Sequence, residues 1–175
     1  KYPESRMQIV GYFDTNPTAL KREELQPYIN KGIIEYLGST DDVRPFLEKC
    51  SVFVLPSYHE GTPKSVLEAM ATGRPIITTD APGCRETVID GKNGFLVPVR
   101  NSKKLAEKMM WMIENSEKAK KMGEESFKIC KEKFDVNNVN KVILNAMGLW
   151  NLLLLGRDKM NLYESIKNRK EKISV

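Results

Sequence analysis

The sequence is poor in the residues that build metal and proton-relay chemistry. His59 is the one histidine, so neither a histidine metal cluster nor a relay of two histidines can form. The three cysteines, Cys50, Cys84 and Cys130, are odd in number and share no metal-ligand spacing. They predict reduced thiols and no metal site. No apolar run approaches the roughly 20 residues that a membrane span needs. The opening Lys1-Tyr-Pro-Glu-Ser-Arg6 has no secretory pattern, so the expected setting is cytoplasmic. Internal repeats are lacking, and the lysines are not interleaved with aromatic residues, which argues against nucleic acid as a partner.

What is present is ordinary in bulk. With 175 residues, 41% of them hydrophobic and 29% charged, the chain suits one globular core. A net charge of +5 is compatible with phosphates or with an anionic membrane surface and singles out neither.

The pattern along the chain says more. Apolar runs at Met7–Gly11, Ile33–Leu37, Val52–Leu55, Pro75–Thr79 and Phe95–Val97 read as strands. A first helix is expected with Asn16 as N-cap and Pro17 at its first position, running to about Ile29 and ended by Asn30-Lys-Gly32. A second follows the cap-rich Ser39-Thr-Asp-Asp42 and runs to about Lys49; Pro45 is comfortable there if the helix starts at Arg44. A third is opened by Pro63 and ends at Gly73. A short helical turn is expected at Glu86–Ile89, then a tight turn at Asp90–Gly94. This alternation predicts an α/β fold with a Rossmann-like, doubly wound parallel sheet.

After Pro98 only helices are expected, capped by Ser102, Ser116 and Asp135. Their inward faces read as Leu105, Met109, Met112 and Ile113, then Ala119, Met122, Ile129, Cys130 and Phe134, then Val139, Val142, Ile143, Ala146 and Trp150. Residues 1–150 are read as one domain and residues 151–175 as an apolar-then-basic tail. Leu149-Trp-Asn-Leu-Leu-Leu-Leu155 gives way there to Arg157, Lys159, Lys167, Arg169, Lys170 and Lys172. A packed helix with a solvated basic end is the plain reading. An interface, with a missing domain or peripherally with an anionic membrane, is the sharper one.

Candidate chemistry converges on one junction, Leu55-Pro-Ser-Tyr-His-Glu-Gly-Thr-Pro-Lys-Ser-Val-Leu-Glu-Ala-Met70. A loop at the carboxyl end of a strand in an open α/β sheet is where ligands sit. The helix start that follows offers unpaired amides and a partial positive charge, with Lys64 and Ser65 adding a cation and a hydroxyl. Gly61 allows close backbone approach. These features fit a diphosphate. Glu60 in the loop and Glu68 on the helix add two carboxylates, each able to accept hydroxyl hydrogen bonds. A nucleotide sugar has the matching layout of sugar, diphosphate and ribose. Structural readings stand beside these: Glu68 as the exposed partner of Lys64, Glu60 as a loop carboxylate, Pro63-Lys64 as an ordinary helix start, and His59 as a half-buried polar residue.

Glu60-Gly-Thr-Pro-Lys-Ser-Val-Leu-Glu68-Ala-Met70, with seven residues between its glutamates, resembles the signature of retaining glycosyltransferases of the GT-B fold, the large family 4 group. Leu37-Gly38, Asp42-Val43, Val54-Leu-Pro-Ser57, Gly73-Arg-Pro-Ile76, Asp80-Ala-Pro-Gly83 with Glu86, and Asp90-Gly-Lys-Asn-Gly-Phe-Leu-Val97 agree in order. The likeness runs from about Met7 to about Trp150. Its wording is most similar to bacterial enzymes that extend lipid-linked surface glycans such as O-antigen or capsule.

The resemblance implies the C-terminal, donor-binding half of GT-B followed by C-terminal helices. Glu60 would be the catalytic residue holding donor-sugar hydroxyls. The Gly61, Thr62, Pro63, Lys64 and Ser65 backbone would approach sugar and diphosphate, and Glu68 would hold the ribose. The Gly38–Val43 stretch would lie near the base, with Gly38, Ser39, Val43 and His59 as base or loop contacts. It implies a hexose or N-acetylhexosamine donor, UDP-linked, with no cofactor and no metal. The acceptor would be a lipid-linked or surface glycan reached through a missing N-terminal domain. The family's Arg and Lys phosphate clamp sits in a first strand–helix unit that precedes this stretch, and the glycine-rich turn is thin at Gly11-Tyr-Phe-Asp14, so the piece alone is expected to be inactive. A nucleotide-sugar epimerase of the same fold and a non-catalytic binding or scaffold module are the alternatives.

Overall fold

The computed structural model describes residues 2–16 and 19–149. It divides into two units, Lys1–Phe127 and Lys128–Val175. Trp150 and the tail at 151–175 lie outside the described residues, as do Pro17 and Thr18.

The first unit alternates as the sequence predicts: β1 (Met7–Ile9), α1 (Arg22–Asn30), β2 (Ile34–Tyr36), α2 (Arg44–Lys49), β3 (Phe53–Leu55), α3 (Lys64–Ala71), β4 (Ile76–Thr79) and β5 (Gly94–Val97). Helices α4 (Ser102–Glu114) and α5 (from Ser116) follow. Every strand pairing is parallel, and the α/β class stands. Pairing runs in two ladders among the described residues, β1–β2 and β3–β4–β5. Met7 is opposite Ile34, Phe53 opposite Ile76, and Ile76 opposite Gly94.

Several boundaries move, each for a local reason. The first helix starts at Arg22, not after Asn16, because Asp14 Oδ1 takes the Asn16 N–H at 2.9 Å and turns the chain there. Glu24 then caps the true start by accepting the Lys21 N–H at 2.8 Å. Pro63 is the N-cap of α3 and does not occupy its first helical position. Asn101, not Ser102, caps α4, accepting from the Lys104 N–H at 2.9 Å. The helical turn expected at Glu86–Ile89 comes earlier: the Arg85 N–H reaches the Ala81 carbonyl at 3.0 Å and the Thr87 N–H reaches that of Cys84 at 3.0 Å.

β4 is the centre of its sheet and all four of its residues are buried. Ile77, Phe95 and Val97 form one core cluster with Met112 of α4 and with Ala119 and Met122 of α5. Trp111 meets Phe95 edge to face with centroids 4.8 Å apart, while Ile113, expected inward, is exposed. On α3, Val66, Ala69 and Met70 are fully buried, and that helix packs on β3 and β4. Gly123 lets α5 press against the Gly73 turn, since a Cβ there would overlap the Gly73 carbonyl oxygen.

Asn93 ties the turn before β5 together from a fully buried position. Its Oδ1 accepts the Ile89 N–H at 2.7 Å and its Nδ2 donates to the Thr87 carbonyl at 3.1 Å. Ser126 of α5 adds a bond to the Asn93 carbonyl at 3.0 Å. Asn93→Ala orphans the part-buried Ile89 N–H and the buried Thr87 carbonyl together. It should cost about 2 kcal/mol of stability by urea titration, with an unchanged slope.

The second unit holds the end of α5, which runs to Lys133, and α6 (Val136–Ala146). Asp135 caps α6 as expected, accepting the Asn137 N–H at 2.8 Å. Val139, Val142, Ile143 and Ala146, expected inward, are exposed, and α6 has no buried residue. Periodicity identifies an apolar face but not whether anything covers it.

Candidate functional site

The site forms where β3, β4 and β5 end, the side of a parallel sheet on which ligands bind. Val54 and Leu55 stop at Pro56, and the chain leaves β3 as the loop Ser57–Thr62 before α3. That loop is stitched to β4. The Thr78 hydroxyl donates to the Leu55 carbonyl at 2.8 Å, and the Thr79 hydroxyl donates to that of Ser57. Further along, the Glu60 N–H donates to the Pro82 carbonyl at 3.0 Å. Glu60 is half-buried, whereas Tyr58, His59, Gly61 and Thr62 are exposed. From the end of β5, the Arg100 guanidinium lies over the Tyr58 ring at 5.5 Å from its centroid. Arg100, with φ of 57°, is the one non-glycine residue at positive φ among the described residues.

α3 begins without a capping side chain: the Pro63 carbonyl takes the Val66 N–H at 3.0 Å, and the exposed Lys64 and Ser65 stand at the helix entrance. Lys64 Nζ stands 3.6 Å from Glu68 Oε1. The plain reading of Glu68 as a partner of Lys64 is therefore realised, but at 89% exposure of the lysine the pair contributes little. Glu68 also does something the ion pair does not explain. It lines a cleft of about 380 Å³ with Ala71 and Thr72 on one wall and Asp41, Asp42, Val43 and Arg44 on the other. That volume suits part of a small ligand.

The far wall is held by a bidentate pair. Arg44 Nε donates to Asp42 Oδ1 at 2.7 Å and Nη2 to Oδ2 at 2.9 Å. These bonds, with one from the Arg44 backbone N–H, hold the Asp42 carboxyl below its ordinary range, and Asp42 raises Arg44 in turn. Three carboxylates, those of Asp41, Asp42 and Glu68, line the cleft with one guanidinium, that of Arg44, so the cleft is rich in acceptors. It favours a ligand's hydroxyl and N–H donors over its phosphates. An anion belongs instead at the start of α3, beside Lys64.

Of the residues singled out from sequence, Glu68 and Val43 share the cleft, Gly61–Ser65 form the helix entrance, and Glu60 sits against the β4 loop. Gly38 and Ser39 do not line the cleft; the Gly38 carbonyl accepts the Gly11 N–H at 2.9 Å beyond the ends of β1 and β2. His59 is exposed, its carbonyl accepting the Ser57 hydroxyl at 3.2 Å. Asp41 and Asp42 fall in the Gly38–Val43 stretch expected near the base, whereas Arg44 and Thr72 as cleft walls, and Arg100 as a partner of Tyr58, were missed. Only their positions at strand or helix ends could have pointed to them. Among the described residues no three His, Cys, Asp or Glu side chains stand together as ion ligands.

Residues 1–115 match the family described as glycosyl transferases group 1. Over 107 residues the chain is 39% identical to an enzyme of Campylobacter jejuni, the N,N'-diacetylbacillosaminyl-diphospho-undecaprenol alpha-1,3-N-acetylgalactosaminyltransferase, covering 61% of this chain and 27% of that one. HepE of Anabaena, solved in complex with UDP, superposes with a TM-score of 0.67 at 25% identity, over 72% of this chain and 35% of that chain. The C-terminal domain of a group 1 glycosyl transferase from Francisella tularensis gives a TM-score of 0.58 at 26% identity, over 65% of this chain and 62% of that chain. The chain thus spans about a quarter to a third of the full-length relatives. Its α/β fold, with parallel sheets and flanking helices, matches that of GT-B glycosyltransferases.

Proposed function

Because the chain belongs to the glycosyl transferases group 1 family, we propose that it is the nucleotide-sugar-binding portion of a retaining glycosyltransferase. The whole protein moves a hexose or N-acetylhexosamine from a UDP-linked donor to a lipid-linked or surface glycan, at the cytoplasmic membrane face and without a metal ion. One observation carries this reading: an acceptor-rich cleft with Glu68 on its wall opens beside the uncapped, lysine-bearing start of α3. Hydroxyl recognition beside anion recognition is what a nucleoside diphosphate requires, and this arrangement supports it. HepE, with the same fold, is solved in complex with UDP and with UDP-glucose, and the Campylobacter relative is a sugar transferase by name.

In this reading Glu68 accepts from the ribose hydroxyls, and the α3 amides with Lys64 meet the diphosphate. Glu60, across the loop, accepts from hydroxyls of the donor sugar. When the bond from the anomeric carbon to the phosphate oxygen breaks, its electron pair leaves with UDP. The helix start and Lys64 offset the charge that grows there. For retention, the acceptor oxygen arrives on the face that UDP vacates, and its hydroxyl proton passes to the departing phosphate oxygen.

The strand order supports the reading of the chain as a piece without its first strand–helix unit. The doubly wound order 3-2-1-4-5-6 has one strand between the two that correspond to β1 and β3. Here β1 and β3 each end a separate ladder. The chain alone is expected to transfer nothing.

Calorimetric titration with UDP tests the site. Heat of binding that saturates and weakens in Glu68→Ala supports it; no heat from the wild-type chain would favour a scaffold. Incubating donor without acceptor and finding an epimer would favour an epimerase instead.

A further inference from the structure

The loop after β4 is built as a rigid wedge, and what it presses on is the segment that carries Glu60. Ala81 and Cys84 are buried in it. Arg85 closes it, with Nε 2.8 Å from Asp80 Oδ1 and Nη2 donating to the Asp80 carbonyl at 3.0 Å. The Thr87 hydroxyl donates to the Cys84 carbonyl at 2.7 Å. At the tip stands Gly83, with φ of 82°. A Cβ built on Gly83 would lie far inside contact distance of the Glu60 and Gly61 carbonyl oxygens. One residue earlier, the Pro82 carbonyl accepts the Glu60 N–H.

We infer that the Asp80–Arg85 loop is a fixed buttress that sets where the Glu60–Gly61 peptide stands, with Gly83 as its positioning residue. The inference rests on the reading of that peptide as the donor-sugar wall of the site. The empty space beside the Gly83 Cα is what lets the Glu60 and Gly61 carbonyls come so close. Any side chain there displaces the peptide and carries the Glu60 carboxylate with it. Small displacements of this kind can cost on the order of a hundredfold in an oriented site. The ribose and diphosphate contacts, made from α3, should be spared. Position 83 would therefore govern how well the donor's sugar, as distinct from its nucleotide, is held.

A turn that merely needs positive φ makes a different prediction, and Gly91 separates the two. Gly91 has φ of 76° but nothing within 4 Å of a Cβ. Asparagine tolerates positive φ and carries a Cβ. Gly83→Asn and Gly91→Asn thus share the backbone requirement and differ in the space requirement.

The experiment measures amide hydrogen exchange and calorimetric binding of UDP and UDP-glucose on the full chain. For Gly83→Asn, the Glu60 amide should exchange about tenfold faster while Ile77 and Phe95 in the sheet stay protected. UDP-glucose affinity should fall about tenfold while UDP affinity moves less than about threefold. Gly91→Asn should match the wild type in both. If Gly83→Asn loses protection throughout, Thr79→Val serves in its place. It removes the hydroxyl bond to the Ser57 carbonyl and should give the same local exchange and the same UDP-glucose loss. Wild-type exchange at Glu60 in a folded Gly83→Asn chain, or equal losses for UDP and UDP-glucose, would overturn the buttress. A wild-type chain that binds neither probe would instead overturn the nucleotide-sugar reading, and the positioning role with it.

Discussion

Glu60→Ala in the whole protein is expected to lower turnover by about a hundred- to a thousandfold, the range seen when one preorganised group at a reacting centre is removed. The position explains the size. Glu60 leaves β3 through a loop tied to β4 by two threonine hydroxyls, and its own N–H is bound to the Pro82 carbonyl, so its carboxylate starts from a fixed backbone. It is half-buried, at the edge of the loop. Loss of the carboxylate removes acceptors for the sugar hydroxyls while the helix entrance and the cleft remain. Nucleotide affinity should stay within about threefold and the loss should fall on the chemical step, the mark of an interaction made most strongly in the transition state. The measurement is release of UDP from a UDP-sugar in the presence of acceptor. A rate within about twofold of wild type would remove Glu60 from the mechanism.

Local chemistry made much of this fold legible, and its failures are also local or else wholly non-local. The Arg44 start of α2 follows from Pro45, which fits a helix best in its first turn. The burial of β4 follows from an unbroken Ile-Ile-Thr-Thr run between turn residues. Asn16 misled because asparagine near a proline reads as a cap, while Asp14, two residues earlier, competes for the same amide. The apolar stripe of α6 was legible as a stripe, yet Val142 is 68% exposed. No sequence pattern states what an amphipathic face packs against. Ile113, expected inward, is exposed while Trp111 packs on Phe95, an aromatic edge that helical spacing cannot see. The site divides in the same way. Glu60 and Glu68 stand on one strand–loop–helix junction, so both were legible as candidates, and the family resemblance gave them their expected roles. Asp42 and Arg44, on the opposite wall, arrive from another crossover, and Gly83 meets the Glu60 carbonyl only after β4 has paired with β3.

Glu68→Ala is expected to weaken UDP binding by about a hundredfold, since two charge-assisted hydrogen bonds at roughly 1.5 kcal/mol each are lost together. Two competing effects set bounds on that figure. Removing Glu68 also frees Lys64, whose cation then serves the diphosphate without a carboxylate 3.6 Å away, and this should return part of the loss. The pair is exposed on the lysine side, so the return is small. Glu68→Gln separates the contributions: it frees Lys64 equally but keeps one neutral acceptor, and should lie between wild type and Glu68→Ala. Both substitutions should leave the melting temperature nearly unchanged, because the residue is part of no buried network and its neighbours Val66, Ala69 and Met70 hold α3 on the sheet. Raising the salt concentration should narrow the gap between Gln and wild type if the charge matters mainly through Lys64, and leave it if the charge acts on the bound hydroxyls. An Ala variant that binds UDP as tightly as wild type would mean that the cleft beside α3 holds something other than the ribose.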